Sequence, residues 1–428
     1  MSPAHRSPHR ERAALVGLAT GSSVRRLEAE RSLDELAGLA RAAGADVLLR
    51  VLQERSRPDA ATFLGSGKIA AVAAACSEAS VDLVIFDNEL TPGQMRELEQ
   101  RLACKVVDRT QLILDIFASR ARTREGKWQV ELAQLKYLLP RLVGSSSALS
   151  RLGGGIGTRG PGETKLESDR RRIRQRITSI GRDIEMVRRR RAQLRERRRK
   201  NALPTVALVG YTNAGKTTLF NVLTLSSAEV SDALFVTLDP LVRRVRVGDR
   251  RELLLSDTVG FIDRLPHALV AAFRATLEEV AQADLLLHVV DAAAGGVERR
   301  MAAVRRVLEE VHATSVPVLE VMNKCDVLDE AERRRIQHMW PDAWLVSAAT
   351  GEGCAALLDG ACARLGLDTR RVTLHFNPEV DSDRQRMGQL YRHAKVIGHV
   401  ARQNRVSIEA DIPVRLLGRF VSDEEGAP

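Results

Sequence analysis

The stretch "TVALV" at 205–209 runs without a break into Gly210-Tyr-Thr-Asn-Ala-Gly215-Lys216-Thr217, and "TTLFNVL" follows. An apolar run this short reads as a strand buried on both faces, and the spacing after Lys216 reads as an amphipathic helix. A strand that ends in GxxxxGK[ST] and enters a helix constrains the fold strongly. Its loop turns backbone N–H groups toward an anion, and the helix N-terminus adds partial positive charge. Such a unit belongs in a doubly wound α/β sheet with helices on both faces. Gly210, Tyr211, Thr212, Asn213, Ala214, Gly215, Lys216, Thr217 and Thr218 are therefore the expected phosphate-loop residues. Lys216 is expected to reach the β- and γ-phosphates, and the Thr217 hydroxyl to bind Mg²⁺.

Four later segments fit the same sheet. "LLLSDTVG" reads as a strand ending in Asp257, whose carboxylate suits the Mg²⁺ shell, and Gly260 offers its N–H to a γ-phosphate. "VPVLEVMNKCD" ends in Asn323-Lys324-x-Asp326, and a carboxylate at 326 can accept from guanine N1–H and N2–H₂ together. Adenine lacks that donor pair, so Asp326 selects guanine through the cost of unpaired groups. "AWLVSAATGEG" supplies Ser347 and Ala348 for the base oxygen, and Thr237 in "ALFVTLDP" suits a switch residue that completes the Mg²⁺ shell only with triphosphate. Taken in this order, the five pieces imply a GTP-hydrolysing enzyme, with Lys216, Thr237, Gly260 and Asn213 as its catalytic candidates.

After Gly260 comes Phe261, where Ras-like enzymes carry a glutamine that orients water. A phenyl ring cannot do so by hydrogen bonding, which implies slow intrinsic turnover. Two devices could supply the missing help: K⁺ held by Asn213 beside the phosphates, or a large partner that completes the site. The alternative for Asn213 is a role in the loop alone.

A second glycine-rich run, "GGGIGTRGPGE" at 153–163, is preceded by polar residues rather than a strand, which argues against a second phosphate loop. It sits between two narrow apolar seams. Trp128, Leu132, Leu135, Leu139 and Leu142 form one, and Ile173, Ile177, Ile180, Ile184 and Val187 the other, both at spacings of 4 and 3. This predicts an antiparallel two-helix coiled coil with the glycines at its tip, the second helix starting on a Thr164–Glu167 capping box. From Arg170 to Lys200, fifteen Arg or Lys face only Asp183, Glu185 and Glu196, which accounts for the whole net charge of +11. A charge localised in this way points to nucleic acid. Arg188, Arg189 and Arg190 on the stalk, with Gly154, Gly155, Gly157, Arg159 and Gly160 at the tip, are the expected RNA contacts. A plain connector is the alternative for the tip.

Residues 13–120 alternate strand-like runs (13–19, 46–52, 81–87 and 104–108) with helical ones (31–43, 67–79 and 91–102), which predicts a small parallel α/β layer. "GSGK" at 65–68 lacks the upstream glycine of a phosphate loop and reads as a helix start. "RRVTLHF", a helical stretch around 381–403 and "RVSIEADIPV" suggest a small α/β module at the C-terminal end. The expected division is 1–122, 123–200, 201–368 and 369–428. Nothing in the sequence approaches a membrane span, and the five cysteines show no metal spacing. The expected setting is the cytoplasm, as a monomer, with peripheral membrane contact left open.

Together these features resemble the HflX family of ribosome-associated GTPases. The likeness rests on "FDNELTPGQMRELE" (86–99), "TREGKWQVELAQLKYLLPRL" (123–142), "GGGIGTRGPGETKLESDRR" (153–171), "GYTNAGKT" and "DTVGFIDRLPHALVAAFRATLEE" (257–279). The resemblance implies an N-terminal α/β subdomain, a coiled coil, a GTPase domain and a small C-terminal domain. It also implies that the protein binds the large ribosomal subunit and its ribosomal RNA, with the glycine-rich tip near the peptidyl-transferase centre, and splits stalled 70S particles under stress. Two rivals stand beside it. One is a GTPase of subunit assembly or hibernation that splits nothing; the other is an ATP-driven RNA remodeller. Asn323 and Asp326 argue against the second.

Overall fold

A computed structural model describes residues 10–20, 23–142, 161–200, 203–227, 234–235, 237–238, 241–248, 251–263, 279–402 and 405–420. The chain is α/β and multidomain. Near its N-terminus, β1 (Arg12–Ala19), β2 (Asp46–Glu54), β3 (Leu83–Phe86) and β4 (Lys105–Asp108) form a parallel sheet in the order β2-β1-β3-β4. Helices α1 (Ser23–Ala42), α2 (Ser66–Glu78) and α3 (Pro92–Leu102) connect them. Helix α3 starts where Thr91 and Gln94 cap each other reciprocally, with Pro92 pre-set for the first turn. "GSGK" opens α2, with Gly65 as its N-cap. A fourth helix, α4 (Arg109–Arg120), begins on the Asp108 cap and has no counterpart in the sequence reading. Its buried face is almost continuously apolar, so it lacks the amphipathic period that would reveal it.

Helices α5 (Arg124–Arg141) and α6 (Pro161–Lys200) run antiparallel, tied by Arg176–Glu131 at 2.7 Å and Arg191–Glu125 at 2.7 Å. Helix α6 follows the expected seam, with Ile180 buried and Ile173, Ile177, Ile184 and Val187 half-buried. Helix α5 departs from it. Val130, Ala133 and Tyr137 are buried and join the core of the N-terminal unit, while of the seam positions Leu132 is buried and Trp128, Leu135 and Leu139 are half-buried. One helix therefore serves two surfaces, which a single narrow seam cannot express. The capping box does not start α6 either. The helix begins at Pro161, so Thr164 lies inside it. The glycine-rich run 153–160, including Gly154, Gly155, Gly157, Arg159 and Gly160, lies outside the described residues.

The central sheet has the order β10-β9-β8-β5-β7-β6. It comprises β5 (Thr205–Val209), β6 (Leu241–Val247), β7 (Arg251–Asp257), β8 (Leu285–Asp291), β9 (Val318–Asn323) and β10 (Trp344–Leu345), with α7 (Lys216–Thr224), α8 (Val297–Glu310), α9 (Glu330–Met339) and α10 (Cys354–Arg364). All neighbours are parallel except β6 with β7. Parallel strands bring their C-terminal ends to one edge, where Val209, Asp257, Asp291 and Asn323 end β5, β7, β8 and β9. The N-terminal unit shares a core with this sheet: Leu36, Ile113, Phe117 and Tyr137 belong to the same apolar cluster as Phe235, Phe261, Ile262 and Val304.

At the C-terminal end, β11 (Thr369–Phe376), β12 (Lys395–Arg402) and β13 (Arg405–Pro413) make an antiparallel sheet in the order β11-β13-β12, beside α11 (Asp381–His393). The helix expected over 381–403 therefore stops ten residues early. "KVIGHVAR" is rich in β-branched residues and pairs with β13 across a bulge, so cross-strand pairing outweighs the helical spacing. Among the described residues no helix is long and apolar enough to cross a membrane.

Candidate functional site

The phosphate loop joins β5 to α7, and its glycines are required by geometry. Gly215 has φ +88°, and a Cβ there would lie 2.2 Å from Asn323 Nδ2; at Gly210 a Cβ would lie 2.2 Å from the Val289 carbonyl oxygen. The loop is closed against β7's continuation, with Thr212 N–H donating to Phe261 O at 2.7 Å and Phe261 N–H to Gly210 O at 3.1 Å. Tyr211 and Ala214 are buried with Thr212, Thr218 is half-buried, and Asn213 is exposed with φ +59°.

Lys216 is folded back into the loop, its Nζ donating to Gly210 O at 3.1 Å and Tyr211 O at 2.8 Å. Burial pushes its pKa down to about 8, against the pull of Asp257. Asp257 is fully buried, and burial pushes its pKa up, opposed by Lys216 and by two threonine hydroxyls. Those hydroxyls come from the residues expected beside it. Thr217 Oγ1 donates to Asp257 Oδ2 at 2.8 Å and Thr237 Oγ1 to the same oxygen at 3.0 Å, with 2.7 Å between the two hydroxyls. Among the described residues, Asp257 Oδ1 is buried without a hydrogen-bond partner. Two hydroxyls and a carboxylate with an unsatisfied oxygen form a hard oxygen donor set, which fits Mg²⁺.

Gly260 passes close to the loop; a Cβ there would lie 2.8 Å from Thr212 Cα and 3.1 Å from Lys216 Nζ. Phe261 is 1% exposed and belongs to the shared core.

At the base side, Asn323 acts as a strut. Its Nδ2 donates to Ala214 O at 2.8 Å and its Oδ1 accepts from Ala348 N–H at 2.9 Å, joining the phosphate loop to the Ser347–Ala348 turn. Ser347 Oγ accepts from Thr350 N–H at 3.1 Å. Lys324, at φ +68°, pairs with Asp291 at 2.7 Å, and Asp326 is exposed at the start of the 3-10 turn Cys325–Val327. Asp291, which the sequence reading did not include, stands at this edge as the ion-pair partner of Lys324. The signal was present, since "LLLHVVD" is an apolar run ending in a carboxylate at the functional edge.

The stalk residues Arg188, Arg189 and Arg190 are exposed on α6; Arg188 and Arg189 pair loosely with Glu185 at 3.5 and 3.4 Å.

A doubly wound sheet with this loop, hydroxyl pair and base-side turn defines a P-loop GTPase. Family models match residues 30–118 (GTP-binding GTPase N-terminal), 120–198 (GTP-binding GTPase Middle Region) and 205–324 (50S ribosome-binding GTPase). The chain belongs to the HflX family of GTPases. It is 46% identical over 384 residues to GTPase HflX of Escherichia coli K12, covering 89% of this chain and 90% of that one. To GTPase HflX of Caldanaerobacter subterraneus it is 44% identical over 411 residues, covering 96% and 93%. Among solved structures it is similar to a GTP-binding protein from Sulfolobus solfataricus in complex with GDP. That match has 23% identity and a TM-score of 0.43, and covers 83% of this chain and 98% of that one.

Proposed function

We propose that this GTPase acts on the large ribosomal subunit and that its GTP-bound form splits stalled or vacant 70S ribosomes under stress. The observation that carries the proposal is α6. One side of it packs against α5, while Arg171, Arg172, Arg174, Arg182 and Arg188–Arg190 stand exposed along the rest. A rigid, strongly basic stalk is suited to the phosphates of a folded RNA. The glycine run 153–160 is the proposed tip contact, because glycine lets another backbone approach closely. The division at 122, 200 and 368 is part of this reading, as are a monomeric state and a cytoplasmic setting.

At the nucleotide site, the loop N–H groups hold the α- and β-phosphates, and Lys216 turns from the loop carbonyls to the β- and γ-phosphates. Thr217, Thr237 and Asp257 hold Mg²⁺, which when bound neutralises charge that builds on the phosphate oxygens. Gly260 N–H meets the γ-phosphate. Asp326 reads guanine, Ser347 and Ala348 flank the base oxygen, and Asn323 and Lys324 brace the loops around it. Phe261 leaves the attacking water without a side-chain guide, so turnover of the free protein is slow and rises on ribosomal particles. Asn213 is the candidate K⁺ holder.

Sedimentation of 70S ribosomes with the protein and a non-hydrolysable GTP analogue tests the proposal. The expected profile shows separated subunits, with the protein on the large one. A 70S peak that persists with protein bound would retain ribosome binding and remove splitting. A profile with no bound protein would remove both.

A further inference from the structure

Tyr211, inside the phosphate loop, does more than pack. Its hydroxyl donates to Glu35 of α1 and accepts from the backbone N–H of Asp263 at 2.9 Å. Burial and the Glu35 carboxylate push the pKa of that hydroxyl up, which keeps the proton on the tyrosine. The carbonyl of the same Asp263 accepts from Arg109 Nη2 of α4 at 3.1 Å, and Arg109 also pairs with Glu35. The ring is thus closed: tyrosine, aspartate peptide, arginine, glutamate. Arg109 and Tyr211 are buried, at 3% and 8% exposure, and Glu35 and Asp263 are half-buried. Asp87 fixes it from behind, accepting from Arg109 Nη1 at 2.9 Å and from Ser32 Oγ at 2.6 Å.

Asp263 stands three residues after Gly260, so the ring holds both backbone polar groups of a residue just beyond the γ-phosphate contact. The N-terminal unit also grips the segment that carries Thr237. Phe235 is 2% exposed and packs against Phe117 of α4, with ring centroids 4.6 Å apart, and Leu234 lies over Gly38, where a Cβ would come within 3.2 Å of it. Phe235 N–H donates to Thr212 Oγ1 at 3.1 Å. In this arrangement Thr237 reaches Thr217 and Asp257, the geometry that a triphosphate with its cation calls for.

We infer that Glu35 and Arg109 are positioning residues for GTP: through Tyr211, Asp263 and Phe235 the N-terminal unit holds both nucleotide-sensing segments in the triphosphate arrangement, so it favours GTP over GDP. The inference rests on the roles given above to Gly260 and Thr237. GDP touches neither residue, so the ring contributes little to GDP binding. By linkage, bound triphosphate must in turn tighten the docking of the N-terminal unit.

The test uses the full chain and measures equilibrium binding of GDP and of a non-hydrolysable GTP analogue. Glu35→Gln and Tyr211→Phe both keep side-chain shape; the first weakens the bonds at Glu35, and the second removes both bonds of the Tyr211 hydroxyl. Each should lower the ratio of analogue affinity to GDP affinity about tenfold, within the usual range of coupling between sites. In the wild type, backbone hydrogen exchange in α1 and α4 should be slower with the analogue than with GDP, and Tyr211→Phe should erase that difference. Equal losses for both nucleotides, or no loss for either, would overturn the inference and leave the ring a structural brace. Tyr211→Phe removes a single oxygen, so it decides the matter even where Glu35→Gln fails to fold. Thr237→Ala separates the two levels. If it leaves the ratio of affinities unchanged, the site assignment fails; if it lowers the ratio while the ring variants do not, only the ring inference fails.

Discussion

Replacing Asn323 with Ala tests the strut between the base side and the phosphate side of the site. The change deletes two hydrogen bonds, to Ala214 O and from Ala348 N–H. Both neighbours are nearly inaccessible, at 1% and 4% exposure, so neither backbone group recovers a partner easily. A buried polar group left unsatisfied costs about 1–3 kcal/mol, so the pair should cost roughly 2–6 kcal/mol, less where a water enters the space of the lost amide. Part of that cost appears as lower stability of the free protein, and part as lost order in the two loops that bracket the nucleotide. If about 2 kcal/mol falls on binding, affinity should drop between tenfold and a hundredfold. The drop should be the same for GDP and for a GTP analogue, because the strut joins the base-side turn to Ala214 of the loop that serves both nucleotides, which differ only at the γ-phosphate. Urea unfolding of the free protein and titration calorimetry with both nucleotides measure the two parts. Unchanged stability together with unchanged affinity would refute the reasoning. So would a loss confined to the triphosphate.

Asp326→Asn should cost about 1.5–3 kcal/mol of GTP binding and move preference toward xanthine nucleotides, read by competition; a wild type that binds ATP equally well would contradict the guanine assignment. His288 is 2% exposed in β8, and burial, helped by Arg305 and Lys216, pushes its pKa from 6.5 down to about 4. The folded state holds it neutral, so its contribution is complete above pH 6.5 and is lost as pH falls toward 4, by about 3 kcal/mol. His288→Leu should remove that part of the pH dependence of unfolding. K⁺ should stimulate hydrolysis over Na⁺, and Asn213→Ala should abolish the difference; equal wild-type rates in the two salts would exclude the ion. Reversing Arg188, Arg189 and Arg190 to Glu should weaken ribosome binding and flatten its salt dependence, since each lost phosphate contact removes roughly 0.9 from the log–log slope on duplex DNA. An unchanged slope in a filter-binding titration would remove these arginines from the interface.

The parts of this protein that could be read from the chain are those whose chemistry is local. Strand, loop and helix around Gly210–Thr217 are contiguous, and the Asp257, Asn323–Asp326 and Ser347–Ala348 segments each end a strand whose apolar run is legible by itself. The parallel order of the N-terminal strands followed from their alternation with helices, and the charge of α6 from counting. What tertiary structure decided is what lies between segments. Helix α4 is hidden because its environment is apolar on most sides, so no period distinguishes it. Helix α5 turns one face to α6 and another to the N-terminal core, and β12 is a strand because β13 offers it hydrogen bonds, although its spacing suits a helix. The ring of Glu35, Arg109, Tyr211 and Asp263 joins residues up to 228 positions apart, none of which forms a motif with another. Burial and hydrogen-bond satisfaction choose such partners across space, and they do so only once the sheets have brought them together.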